Sequence, residues 1–458
     1  HLSPLRANLL RPLTIGKDLR VLEFGCGFGA ITRYLGETGA AVSAVEGSCR
    51  RAEGAAERCR DLPNVRVYCD NLADFETSDR YDVITLIGVL EYAPLFIPGS
   101  DPVGACLEKA RSLLAEGGTL VLAIENQLGL KYFTACKEDH TAQPFFGLHG
   151  LYGKDTPITF GRRALRHRLC AAGLGSVVFY YPFPDYKLPT ILLSEAALTR
   201  TDLRVADLLA RPTLGKRGGE YHTFHENLAW HAIAENSLVA DLANSFLIIA
   251  RHGDKTAIPP PDWLAVSYST GRRSPFWTET RVLEEASELH VRKNILHGFP
   301  RGDDGKQPFH HRPLDSRYIQ GRLWVTGLWK LLAAEAGLSE LEEWLRPWLQ
   351  FLRQHAVEAG NTATGLEFLL PGNFIDCTPF NLIQDEDGNL VYIDAEWEAI
   401  EPLPASWVVV RGLFYSLYAS PIPASLGEVK ASAFISTILQ ACDITLEKSA
   451  WVKLCALE

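Results

Sequence analysis

Val21-Leu22-Glu23-Phe24-Gly25-Cys26-Gly27-Phe28-Gly29 is the stretch on which the reading of this chain turns. A short apolar run typical of a strand leads into three glycines at alternate positions. Glycine reaches positive φ without steric cost, so the backbone can turn sharply there and approach a ligand closely. Glu23 stands on the strand, and a second acid, Glu46, follows the next apolar run, Ala41–Val45. A carboxylate at that place can accept both hydroxyls of a ribose, the nucleoside logic of doubly wound α/β folds. A dinucleotide fingerprint demands a third glycine three residues after the second. Here Ala30 holds that position and Gly29 comes one residue early.

Outward from the motif, residues 20–125 alternate apolar runs with helix-like stretches, the pattern of a parallel sheet. The runs are Arg20–Phe24, Ala41–Val45, Val65–Tyr68, Tyr81–Ile87 and Thr119–Ile124, and the helical stretches are Ala30–Glu37, Cys49–Cys59 and Pro102–Leu114. Ser176–Tyr181 and Ser245–Arg251 are expected as closing edge strands, with a polar insertion over about residues 185–243 between them. Asp254–Asp262 contains three consecutive prolines and reads as a stiff linker. It divides a first domain, residues 1–253, from a second, residues 263–458. In the second, Trp263–Ser269 and Pro275–Val282 flank a turn-like Thr270-Gly271-Arg272-Arg273 and suggest a hairpin. Trp- and Leu-rich helices are expected over Leu323–Ala336 and Leu341–Glu358.

Composition narrows the function. With 45 basic and 55 acidic side chains among 458 residues, the net charge is -10, which argues against a nucleic-acid binder or a polybasic membrane anchor. No apolar run reaches the ~18 residues of a membrane span. The ten cysteines show no zinc-type spacing and read as free thiols of a reducing cytoplasm. The chain contains no methionine, and Leu457-Glu458 is the kind of dipeptide that cloning appends.

The E-x-G-x-G-x-G pattern resembles motif I of class I S-adenosylmethionine-dependent methyltransferases, over about residues 20–125. The resemblance implies a Rossmann-like α/β domain that binds S-adenosylmethionine through Glu23, Gly25, Gly27, Gly29 and Glu46. Asp70-Asn71-Leu72 would lie near the adenine, and Gly88–Tyr92 would floor the methionine part. The stretch from Glu125 to Phe133, Glu138-Asp139-His140-Thr141 and Phe183–Pro189 resemble methyltransferase modules of bacterial surface-polysaccharide enzymes. His140 can serve as general base for a sugar hydroxyl, since imidazole titrates near neutrality. If the acceptor were a phosphate no base would be needed, and Lys131, Arg162, Arg163 and Lys187 would position it.

A second constellation lies near the end of the chain. Asp376-Cys377-Thr378-Pro379-Phe380-Asn381 is followed by a turn at Asp387-Gly388-Asn389 and then by Tyr392-Ile393-Asp394-Ala395-Glu396. Phosphoryl transfer needs a carboxylate to orient the acceptor hydroxyl, an amide oxygen on Mg²⁺, and a second carboxylate bridging metal and phosphates. The pattern resembles the catalytic loop and I-D-x-E metal motif of protein-kinase-like sugar and small-molecule kinases. That resemblance makes Asp376 the catalytic base, Asn381 and Asp394 the Mg²⁺ ligands, and Lys293 the partner of the ATP phosphates. Phe374 and Ile375 depart from the family pattern, and no glutamate partner for Lys293 is evident.

The expected fold is therefore an α/β Rossmann-like methyltransferase domain followed by an α+β protein-kinase-like domain with a short N-lobe. The order of domains resembles bifunctional enzymes that end bacterial O-antigen polymers. It implies S-adenosylmethionine, ATP and Mg²⁺ as cofactors, a glycan or lipid-linked oligosaccharide acceptor, and a cytoplasmic location with peripheral membrane association left open. Two alternatives stand beside it: a methyltransferase whose kinase-like domain only binds, and a small-molecule methyltransferase.

Overall fold

The computed structural model describes residues 3–212, 223–253, 256–296, 308–357, 365–418, 420 and 430–446. Part of the expected insertion (213–222), the first two linker residues, Glu358 and the terminal Leu457-Glu458 lie outside the described residues. Two compact units emerge: residues 1–200, 216–226 and 232–268 form the first, and residues 201–215, 227–231 and 269–458 the second.

The first unit is built on a sheet with strands β1 (Arg20–Phe24), β2 (Ala41–Glu46), β3 (Val65–Cys69), β4 (Tyr81–Ile87), β5 (Leu114–Glu125), β6 (Ser176–Phe183), β7 (Ile191–Ser194), β8 (Ser245–Arg251) and β9 (Trp263–Ser269). Within this unit the order is β9-β7-β6-β8-β5-β4-β1-β2-β3. The five strands from β3 to β5 are parallel, with β1 between β2 and β4. Strands covered on both faces read as near-continuous apolar runs, as β1 and β4 do, whereas the more exposed β3 lies at the end of the order. The helices α1 (Ala30–Glu37) and α2 (Cys49–Arg58) fill the first two crossovers.

The antiparallel half departs from expectation. Ser176–Phe183 and Ser245–Arg251 are not edge strands: β8 pairs with β5, β6 with β8, and the order continues through β7 to β9. The stretch expected as a polar insertion thus contributes the fully buried β7. The proline-rich segment is likewise anchored at one point. Ile258 is buried and the Ala257 amide donates to the Gly117 carbonyl at 2.9 Å, so the first unit continues through it to Tyr268. Strand β9 pairs with β7 through Ile191–Leu193 and Ala265–Ser267.

In the second unit, the strand Thr278–Glu285 forms its hairpin with Glu288–Ile295, through Ala286 and Ser287 at positive φ. Leu382–Gln384 pairs with Leu390–Tyr392 around Gly388, at the turn the sequence indicates. Helices Trp324–Ala333 and Leu338–Gln354 pack their Trp and Leu faces into one core with Ala405–Tyr418 and Ala431–Ala441. Among the described residues, no helix is long and apolar enough to cross a membrane.

Candidate functional sites

The glycine loop lies at the C-terminal end of β1, and its three glycines all have positive φ. Two of them do different work. A Cβ on Gly25 would sit 2.5 Å from the Val89 side chain, whereas one on Gly27 would meet nothing within 4 Å. Gly25 is required by packing; Gly27 faces open space. The Gly27 amide donates to Glu46 Oε2 at 2.9 Å, tying the loop to the end of β2. Glu46 is buried, and its other oxygen accepts from the Ser48 amide at 3.0 Å and from Arg51 Nη2 at 2.6 Å. Asp70, Asn71 and Leu72 follow β3 beside it, with the Asp70 amide donating to the Glu46 carbonyl at 3.2 Å.

Glu23 does not join this face. It is buried beneath the loop and accepts from Thr32 Oγ1 of α1 at 2.6 Å, so it anchors α1 and offers no ligand-facing carboxylate. Burial pushes its pKa up to about 7, with the Thr32 hydrogen bond as partial offset. The free-thiol expectation also needs correction. Cys49 and Cys69 are joined as a disulfide between the start of α2 and the end of β3, where Cys69 is in register with Glu46.

At the ends of β4 and β5 a second group of polar side chains is buried. Glu91 and Glu125 are both inaccessible. Burial alone would raise the Glu125 pKa, but the Lys131 and Lys187 ammonium groups outweigh it and hold Glu125 well below the usual range. Lys187 Nζ lies 2.7 Å and Lys131 Nζ 3.4 Å from Glu125 Oε1, and the Tyr132 hydroxyl donates to Oε2. Both lysines also pair with Asp139, and Lys131 with Asp185. His140 sits against this group. Its Nδ1 is 2.9 Å from the Tyr92 hydroxyl, and its Nε2 is 3.8 Å from both Glu91 Oε1 and Glu125 Oε2. Burial lowers the His140 pKa, which keeps the imidazole neutral at physiological pH. Arg162 is engaged elsewhere, with Glu195 and Asp241.

Sequence reasoning placed Glu91 only within the Gly88–Tyr92 floor and missed the charge roles of Glu91 and Glu125. The available signal was an acid at the end of each of two adjacent central strands, the position where open α/β sheets bind ligands.

The second unit brings its expected residues to one hairpin end. The Ile393 amide donates to the Asn381 carbonyl at 2.9 Å, so Asn381 and Asp394 are neighbours, and the Asn381 side chain donates to the Asp376 carbonyl at 3.0 Å. Lys293, nearly buried, ion-pairs with Asp394 and lies 3.6 Å from Glu396. Glu396 is thus the acid that the sequence did not reveal as a Lys293 partner, although it is the last residue of the I-D-x-E motif itself. Burial would raise the Glu396 pKa, but His311, Arg272 and Lys293 together bring it down to about 2. The Thr270-Gly271-Arg272-Arg273 stretch contributes Arg272, whose Nη1 is 2.6 Å from Glu396 Oε1. The Asp376 carboxylate pairs with Arg411 at 2.8 Å. Among the described residues no group of three or more His, Cys, Asp or Glu side chains is placed to hold a metal ion.

Comparison with known proteins bears on the first unit. A sequence model for the family described as a methyltransferase domain matches residues 22–120. A curated relative, the ubiquinone biosynthesis O-methyltransferase of Leptothrix cholodnii, is 28% identical over 133 residues, covering 28% of this chain and 53% of that protein. The chain spans about half the length of that relative. Partial structural likenesses include the N-methyltransferase NodS from Bradyrhizobium japonicum WM9 in complex with S-adenosyl-L-homocysteine (21% identity, 27% of this chain and 61% of that one, TM-score 0.24). Another is the complex of the Haloferax volcanii Trm112 methyltransferase activator with a putative methyltransferase (15% identity, 55% and 90%, TM-score 0.35). The match over residues 22–120 falls on the parallel half of the sheet, a Rossmann-like arrangement that fits a methyltransferase domain.

Two predictions follow from this geometry. Gly27→Ala should cost only the ~1–2 kcal/mol of left-handed backbone strain, while Gly25→Ala adds an overlap with Val89 that typically costs a further ~1–3 kcal/mol. Urea unfolding of both variants checks the order. Second, Glu23 and Glu91 carry folded-state pKa values above their unfolded ones, so the folded chain holds more protons than the unfolded chain above about pH 4.5. Their contribution to stability therefore falls as pH rises through about 7 to 8. The midpoint of thermal unfolding should decline less steeply between pH 5 and 8 in Glu23→Gln than in the parent chain.

Proposed function

We propose that the first unit binds S-adenosylmethionine at the glycine loop, with Glu46 on the ribose and Asp70–Leu72 beside the adenine, and methylates a hydroxyl acceptor next to His140. The observation that carries this reading is the buried Glu46 carboxylate held on the amide of the open-faced Gly27. S-adenosylmethionine supplies a methyl group already activated on a sulfonium. What remains for the chain is alignment and removal of the acceptor's proton. With Nδ1–H donating to the Tyr92 hydroxyl, the tautomer this mechanism requires, Nε2 is the proton acceptor. The ionised Glu125 carboxylate beside Nε2 favours the imidazolium that results.

A hydroxyl acceptor is preferred over a phosphate because three of the four cations expected to hold phosphate are already engaged. Lys131 and Lys187 serve Glu125, and Arg162 serves Glu195 and Asp241. In the second unit, the convergence of Lys293, Asp394 and Glu396 supports phosphoryl transfer from Mg·ATP to a sugar hydroxyl. There Asp376 would orient the hydroxyl, Asn381 and Asp394 would hold Mg²⁺, and Lys293 would meet the phosphates. The chain would then be a cytoplasmic bifunctional enzyme of surface-polysaccharide synthesis, acting on a glycan or lipid-linked oligosaccharide.

A second reading draws on the ion pairs of Asp376 with Arg411 and of Asp394 with Lys293, each of which engages one oxygen of a carboxylate that the first reading gives to a hydroxyl or a metal. On that reading the second unit only binds, and the first methylates a small molecule. The Leptothrix relative's O-methylation in ubiquinone biosynthesis fits it.

Calorimetric titration with S-adenosylhomocysteine and with Mg·ATP separates these readings. Glu46→Ala should weaken S-adenosylhomocysteine binding at least ~10-fold, the scale of a lost charged hydrogen bond. Asp394→Ala should remove ATP binding and leave S-adenosylhomocysteine untouched. ATP binding absent from the parent chain would favour the small-molecule methyltransferase, and unchanged affinity in Glu46→Ala would refute the ribose role.

A further inference from the structure

Glu91 stands apart among the ionisable groups at the ends of β4 and β5. Its carboxyl is wholly buried, and neither oxygen makes a hydrogen bond of standard geometry. Charged and titratable groups come to it from several elements. Glu125 ends β5, His140 lies on the loop beyond, Tyr186 and Lys187 follow β6, Cys106 belongs to the helix Pro102–Leu113, and Tyr92 is on the same turn. The cations in this group are committed: Lys131 and Lys187 pair with Glu125 and Asp139. Burial governs and the Glu125 charge adds to it, while the Glu91 backbone amide, the Lys187 charge and the Tyr186 hydroxyl only partly offset them. The Glu91 pKa is pushed up to about 8, so the carboxyl is neutral at pH 7.

The place of Glu91 in the topology gives this neutrality a use. Strand β1 lies between β2 and β4, so the connections diverge between β1 and β4, where a doubly wound sheet opens the crevice that takes its ligand. The glycine loop forms one wall and the turn after β4 the other, in contact through Gly25 and Val89. Glu91 is two residues beyond that contact. A cation brought into the crevice lowers the pKa of a nearby carboxyl by roughly 1 to 3, enough to ionise Glu91 at neutral pH.

We propose that Glu91 releases its proton when the sulfonium form of the cofactor binds, and then receives, through His140, the proton that the acceptor gives up. The inference rests on the reading that the first unit uses S-adenosylmethionine. On binding, the carboxyl O–H bond breaks and the proton leaves to solvent. During transfer the C–S bond breaks with its electron pair going to sulfur, and the acceptor oxygen forms the new C–O bond. The acceptor's proton passes to His140 Nε2 and on to Glu91 Oε1, 3.8 Å away. The sulfur is then neutral, nothing keeps Glu91 ionised, and the site is back in its starting protonation state. One proton leaves per cycle, at the binding step. The ionised carboxylate therefore favours the charged substrate over the uncharged product.

The test is calorimetric titration of the full chain at pH 7 with S-adenosylmethionine and, separately, S-adenosylhomocysteine, each in two buffers of widely different ionisation enthalpy. S-adenosylmethionine should release roughly one proton per site and S-adenosylhomocysteine almost none. Glu91→Gln, which fixes the neutral state at the same size, should bind both ligands with no linked proton release. Equal proton release with the two ligands, or release that persists in Glu91→Gln, would overturn the proposal while leaving the cofactor reading intact. Binding of neither ligand would instead overturn the cofactor reading. If Glu91→Gln does not fold, infrared difference spectra of the parent chain decide. A protonated-carboxyl band lost with S-adenosylmethionine and retained with S-adenosylhomocysteine supports the proposal, and an unchanged band with both overturns it.

Discussion

A single hydrogen bond, from the amide of Gly27 to the buried carboxylate of Glu46, joins the loop after β1 to the end of β2, and the first site is organised around it. A buried carboxylate is costly unless its oxygens are satisfied. Here the backbone amides of Gly27 and Ser48 and the Arg51 guanidinium satisfy it, so the loop and the strand end hold one another. Positive φ at Gly27 lets the loop present its amide in this way, and the space beyond it is open. Gly25 secures the same turn from below by admitting Val89. The Cys49–Cys69 bridge adds a covalent tie across the same strand ends.

Beyond the loop, the first unit manages buried charge by contrast. Glu125 is kept ionised by two lysines that would otherwise be free for an anionic acceptor, while Glu91, a short distance away, is kept neutral for want of a cation. Two carboxyls whose environments push them in opposite directions, with a neutral imidazole facing both, make an arrangement suited to moving one proton. The second unit solves a similar problem with three bases around one acid, Arg272, Lys293 and His311 on Glu396.

The parallel half of the sheet was legible from the sequence because strands buried on both faces leave continuous apolar runs between amphipathic crossovers. The helices of the second unit were legible for the related reason that their Trp and Leu repeat follows one face. The antiparallel half was less so. Ile191–Ser194 is too short a run to announce a strand inside a polar stretch, and which strand lies at an edge depends on long-range pairing that no local pattern encodes. Prolines signalled a linker, yet one buried side chain, Ile258, and one backbone bond hold that segment to the first unit. At the first site, the places of Gly27 after β1 and of Glu46 at the end of β2 were legible from the strand pattern. Glu23 was not, because the alternation of side chains that points it under the loop matters more than its place in the motif. The Cys49–Cys69 pairing, 20 residues apart in sequence, follows only from the parallel register of β2 and β3.

The central claim is that the crevice beside Gly27 and Glu46 is a nucleoside site. A crystal structure of the chain soaked with S-adenosylhomocysteine tests it most directly. The account predicts the ribose hydroxyls within hydrogen-bond distance of Glu46, the adenine beside Asp70–Leu72, and the homocysteine chain along Gly88–Tyr92. A nucleoside bound at another place, with the Glu46–Arg51 pair undisturbed, would contradict it.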